Sequence, residues 1–154
     1  MLRLNPHVLA KDDDGAALTE IVIVLPLLVL LLIALIEVGR YGNTMIVVGN
    51  AARAGVQYGA QNLVTAADLT GMRNNALNDA PGITGLTATA SNYCECADGS
   101  ASTCLPTDCA ASHRVVYVQV LTTATMPSLT NFAGLPASLR TITVQGKAVM
   151  RVAQ

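Results

Sequence analysis

The stretch that decides the fold is "DDDGAALTEIVIVLPLLVLLLIALIEVGR", residues 12–40. Three aspartates and a glycine lead towards sixteen consecutive residues, 21–36, with no charge and no polar group. Adding residues 16–19 and Val38 extends the span to twenty-three residues, interrupted only by Glu20 and Glu37. At about 1.5 Å of rise per residue such a helix is about 35 Å long, enough for a hydrocarbon core of about 30 Å. A cleaved secretory signal fits poorly, because its leading region is positive and here Lys11 runs straight into Asp12, Asp13 and Asp14. No A-x-A-like site follows Ile36 either. A helix buried in a soluble core carries a polar stripe, and this run has none. The run therefore predicts a membrane helix over 16–38, in which Pro26 is tolerated and would introduce a kink.

The remaining composition narrows the function classes. At 154 residues the chain is long enough for an anchor plus one small domain. Charged residues make up 12% of it, against roughly 25% in an average soluble protein, and the apolar fraction is 52%. A net charge of −1 supplies no basic field for nucleic acid, and Phe132 with four tyrosines supplies no stacking platform for bases. Catalytic patterns are missing: there is no G-x-S-x-G, no H-E-x-x-H and no Gly-rich phosphate loop. His7 and His113 have no carboxylate pair beside them in sequence, and the run 12–14 lacks the spaced ligands of a calcium loop. The expectation is a non-enzymatic protein with no cofactor and no metal.

The helical pattern continues beyond Arg40. Met45, Val48, Ala52, Val56, Gly59 and Leu63 recur at steps of three and four, with Arg53, Gln57 and Gln61 on another side. Ala51, Gly55 and Gly59 form a small-xxx-small row that lets another backbone approach closely. Each glycine costs about 1 kcal/mol in a helix, so the row needs a packing partner, either the chain's own domain or a second subunit. A shorter helix is expected over 66–78, with Thr65 as N-cap, Asp68 at capping-box distance, and Pro81 and Gly82 ending it. Three β-rich runs follow, 83–94, 115–125 and 139–152, with Val116, Val118 and Val120 alternating onto one face. Residues 94–109 and 126–136 read as the connections between them. The fold class is α+β: a long N-terminal helix, transmembrane in its first half, a short second helix, and a three- to four-stranded antiparallel sheet packed on the helix.

Cys94, Cys96, Cys104 and Cys109 fall within sixteen residues. Their spacings, C-x1-C, C-x7-C and C-x4-C, depart from the C-x2-C pairs of zinc knuckles, and His113 lies just outside the cluster. Disulfides are the expected state, which requires an oxidising compartment. If the first two strands form a hairpin, Cys94 and Cys109 stand at its base. Nested pairs Cys94–Cys109 and Cys96–Cys104 are then favoured over the other two connectivities. Positive charges flank the apolar run on both sides, so they do not orient it. The cysteines do: the segment after the helix is expected outside the cytoplasm and the N-terminus inside.

Glu20 is costly within an apolar span. Gly15 lies five residues before it, and that spacing matches the processing signal of type IV prepilins. Taken with "NAARAGVQYGAQ" (50–61), "YCECADGSASTC" (93–104) and "GKAVMRV" (146–152), the N-terminal block resembles the TadE-like family, minor pilins or pseudopilins of tight-adherence (Flp) pilus systems. The resemblance implies a prepilin peptidase that cuts between Gly15 and Ala16, and Glu20 as the pilin glutamate used in assembly. Asp14 stands where family leaders often carry a basic residue. It also implies a leader over 1–15, a transmembrane helix over 16–38 and a periplasmic pilin-like domain over 39–154, held in a bacterial inner membrane. The implied partners are the peptidase, other pilins or pseudopilins and the inner-membrane assembly platform, in the service of surface attachment and biofilm formation. Two other readings compete: an uncut membrane-anchored binding module, and a pseudopilin of a related secretion machine.

Overall fold

The computed structural model describes residues 13–105, 107–110, 112–129 and 140–153. Residues 1–12 of the expected leader, and 130–136 of the expected second connection, lie outside the described residues. The described chain is α+β. Its first element, α1 (Asp13–Gly59), is one helix that continues through Pro26. Two compact units divide at Arg40 and Tyr41, and each is taken in turn.

In the first unit the helix shows its large aliphatic side chains to the outside: Ile21, Leu27, Leu30 and Ile36 are all more than half exposed. Among the described residues this is the one helix long and apolar enough to cross a membrane, and none of its most apolar window is buried within the protein. A soluble core helix would have those side chains covered. Arg40 donates to Glu37 at 3.2 Å, a part-exposed i,i+3 pair that ends the apolar stretch; such pairs contribute about 0.3–0.5 kcal/mol.

The second unit, Tyr41–Gln154, holds the rest of α1, two short helices and one sheet. The helices are α2 (Leu63–Ala67) and α3 (Leu69–Asp79); the strands are β1 (Thr87–Cys96), β2 (Ala101–Ser102), β3 (Arg114–Pro127) and β4 (Thr141–Arg151). The sheet is antiparallel in the order β2-β1-β3-β4. Alternation in β3 turns Val116, Val118, Val120, Thr122, Ala124 and Met126 inward, all buried. Register sets Ala88 and Gly146 on either side of Thr122, and Ala90 and Ala148 on either side of Val120. Bulky side chains on the central strand with small ones on its neighbours make a surface into which a helix can settle.

The expected single helix over 66–78 is two helices. Asn62, not Thr65, caps the first: its side chain accepts from the Val64 and Thr65 amides, while the Thr65 hydroxyl accepts from the Asn62 amide. Asp68 is not the capping-box partner of Thr65 but the N-cap of α3, accepting from the Gly71 amide at 2.8 Å. The physical reason is that Thr65 at the third helical position closes the reciprocal box as a Glu or Gln would. The strand runs shift by a few residues, and a two-residue strand, β2, was not foreseen.

Candidate functional site

Three sets of residues were expected to carry function, and the structure places each differently. Gly15 lies in the first turn of α1, exposed, with open space where a Cβ would stand. Ala16 follows it in the same turn. Glu20 is exposed, and with Ile21, Val24, Leu25 and Leu28 it lines a shallow, mostly apolar hollow on the helix surface. Successive helical residues turn by about 100°, so Ala16 and Glu20 share a face, whereas Gly15 is rotated about 140° from Glu20.

The small-residue row faces inward. Ala51 is fully buried, and a Cβ on Gly55 would stand 2.8 Å from the Met72 carbonyl and 3.1 Å from Val120. A Cβ on Gly59 would collide with the Met72 side chain. These glycines are spent on contact with α3 and β3 of the same domain. Of the expected apolar stripe, Val48, Ala52 and Val56 are buried, while Met45 and Leu63 are almost half exposed.

Where α1 meets β3 and β4, the approach is closer still. A Cβ on Gly146 would lie 2.6 Å from the Val48 carbonyl oxygen, which leaves room for nothing larger than glycine. The buried Thr122 hydroxyl reaches the Val48 carbonyl at 2.8 Å and the Gly146 carbonyl at 3.1 Å, bonding helix to sheet. Sequence reading singled out neither residue. The available signal was a glycine inside a strand pattern, which marks a close backbone approach.

All four cysteines are paired, but not in the nested scheme. The bonds are Cys94–Cys104 and Cys96–Cys109, with Cα separations of 5.2 and 5.5 Å. The hairpin argument failed because β1 meets β3 through residues beyond the cluster, Cys94 opposite Val116 and Cys96 opposite Arg114. The intervening chain folds back as β2 on the other edge of β1, setting Ser102 beside Cys94 and bringing Cys104 to it. Asp108 gathers this loop, accepting from the Thr103 amide at 2.6 Å, the Thr103 hydroxyl at 2.7 Å and the Ser102 hydroxyl at 3.1 Å. The Thr103 hydroxyl and these neighbours hold the Asp108 carboxyl below the usual range, and the Ser100 hydroxyl does the same for Asp98. Arg114 donates to the Cys104 carbonyl. Among the described residues no group of three or more His, Cys, Asp or Glu is placed to hold a metal ion. The arrangement braces a loop.

At the far end of α1, the Tyr58 hydroxyl donates to Asp68 at 2.8 Å. The Gly71 amide, then the Tyr58 hydroxyl, lowers the Asp68 carboxyl, and the Asp68 contact raises the Tyr58 phenol.

Residues 15–57 match the model of a protein family described as TadE-like protein. The matched segment contains Gly15, Ala16, Glu20, Ala51 and Gly55; Gly59 and the cysteines lie outside it. No curated protein and no solved structure matches the chain.

Proposed function

Taking the TadE-like match of residues 15–57 as the premise, we propose that this chain is a prepilin-like membrane protein that assists assembly of a tight-adherence pilus. The observation that carries the reading is where the match falls: it opens on Gly15 and runs through Glu20 and the exposed apolar helix. On this reading a prepilin peptidase cuts between Gly15 and Ala16, discarding the aspartate-bearing leader over 1–15. The helix over 16–38 stays in the inner membrane, with the N-terminus cytoplasmic and the disulfide-bearing domain, 39–154, periplasmic. The role is structural, in surface attachment and biofilm formation, with other pilins and the inner-membrane platform as partners.

Glu20 is the assembly residue of this proposal. Cutting creates an amine at Ala16, one helical turn from the Glu20 carboxylate and on the same face. An unpaired carboxylate in an apolar environment is costly, and pairing with that amine, from the same or a neighbouring chain, offsets the cost. Side-by-side contact of mature helices in register is thereby favoured over loose association in lipid.

The test is complementation of a deletion strain with Glu20→Gln, scored for cleavage, pilus counts and co-purification of other pilins. Cleavage and membrane insertion should persist while piliation and co-purification fall. Full restoration of both by Glu20→Gln would make the carboxylate a boundary residue only. Normal pili in the deletion strain itself would instead favour the uncut anchored module or the secretion pseudopilin.

A further inference from the structure

The two edges of the sheet are finished differently. The edge strand β4 carries Lys147 and Arg151, charges of the kind that discourage a further strand. On the other side, β1 is covered only by the two-residue β2, which pairs with Cys94 and Glu95. The rest of that edge, residues 87–92, contains no charged residue and no proline. At about 3.3 Å per residue it is about 20 Å long. The Cys96 amide donates away from β3, to the Ser100 carbonyl at 2.9 Å. Groups two residues apart on a strand point the same way, so the N–H and C=O of Ala88 and Ala90 also turn from β3. Among the described residues no strand meets them there.

The helix α3 walls this edge. Leu69, Thr70 and Arg73 line a hollow together with Ala88, Thr89 and Ala90. Leu69 is an aliphatic side chain left 39% exposed. Arg73 is exposed and has no ion pair or hydrogen bond among the described residues. Asp68, the acid at the start of the same helix, is engaged by the Tyr58 hydroxyl and the Gly71 amide. One wall of the hollow therefore offers backbone donors and acceptors, and the other an aliphatic group and a cation. An extended peptide satisfies both walls, its main chain on β1 and alternate side chains on α3. Leu69 and Arg73 stand about 6 Å apart along the helix axis. Side chains two positions apart on a strand are separated by about 6.8 Å, which matches that interval.

We propose that the groove between β1 and α3 takes an extended segment of a partner protein as an added strand, recognised by an aliphatic and an acidic residue two positions apart. The aliphatic side chain rests on Leu69 and the carboxylate pairs with Arg73. The groove lies wholly within Tyr41–Gln154, so its test is independent of the membrane reading.

The probes are two capped, fluorescently labelled peptides, Ser-Thr-Val-Thr-Glu-Thr and its reverse Thr-Glu-Thr-Val-Thr-Ser, one for each strand direction. Each is titrated by anisotropy into the detergent-solubilised full chain. One order should bind, and Arg73→Gln should weaken it about tenfold or more, as loss of a charge-assisted hydrogen bond does. The melting midpoint should stay unchanged, because Arg73 is exposed. Glutamine in place of the peptide's glutamate should weaken binding to the unaltered chain equally and add nothing to Arg73→Gln. Methylation of the peptide's backbone nitrogens separates strand addition from a bare ion pair. Methyl groups on one alternate set should abolish binding, and on the other set leave it nearly unchanged. Failure of both peptides to bind at millimolar concentration overturns the proposal. So does binding untouched by Arg73→Gln, or equal loss from either methylated set.

Discussion

Up to Arg40, α1 turns leucine, isoleucine and valine outward on every side; from Tyr41 it turns alanine, glycine and valine onto its own sheet. Leu27 is 64% exposed, whereas Ala51 and Ala52 are fully buried. Both halves are helical and neither is chosen for helix propensity, since glycine costs about 1 kcal/mol at each interior position. The difference lies in where each half finds its solvent. Large aliphatic groups left uncovered need lipid or a neighbouring helix, while small residues allow the rest of the chain to come within backbone distance. Burial sorts the roles along one continuous element.

The largest test of that contrast is to fill the second half. Gly55→Leu should destabilise the domain by about 1–3 kcal/mol or more, because the new Cβ meets the Met72 backbone carbonyl, which cannot swing away like a side chain. Leu28→Ala in the first half should leave the domain's melting midpoint unchanged. Both are read by thermal denaturation of the detergent-solubilised chain.

Next comes the covalent brace. Replacing Cys94 and Cys104 together by serine opens a short loop, their separation in sequence being 10, and should cost about 2–3 kcal/mol. Peptide mapping of the oxidised protein should recover Cys94–Cys104 and Cys96–Cys109. A Cys94–Cys109 peptide would restore the nested scheme.

Much of this architecture is legible in the sequence. The uninterrupted apolar run over 21–36 and the alternation of Val116, Val118 and Val120 each have a single physical reading, because period and length agree. The cysteine pairing was not legible, since it depends on a two-residue strand too short to leave a pattern. Nor was the Asn62 cap, because Asn62, Thr65 and Asp68 are all capping residues and only the hydrogen bonds decide among them. The candidate assembly site is a spacing in the sequence, Gly15 to Glu20, on the exposed surface of one helix. On the proposed reading, Gly15 and Glu20 act through spacing and exposure, not through a pocket that folding has to build.

A smaller effect is expected at the helix–sheet crossing. Thr122→Val keeps the shape and removes the hydroxyl that reaches the Val48 carbonyl. The loss should be about 1 kcal/mol, since that carbonyl retains its helical bond. If stability is unchanged, close packing of α1 on β3 and β4 holds the helix to the sheet without the hydroxyl.

The smallest effect is pH-dependent. Asp68 is lowered when folded, first by the Gly71 amide and then by the Tyr58 hydroxyl. A depressed carboxyl contributes stability that is present above its unfolded pKa of about 4 and is lost as pH falls through the folded value. The melting midpoint should therefore fall on acidification below about pH 4. Asp98 and Asp108, also lowered, act in the same direction. Asp68→Asn keeps a capping oxygen and should flatten part of that slope.

The most direct measurement is the mass of the chain extracted from the membrane of a strain with an active prepilin peptidase. The predicted N-terminus is Ala16, with Gly15→Leu blocking the cut and Gly15→Ala tolerated better. A chain that still begins at Met1 under those conditions would contradict the prepilin reading.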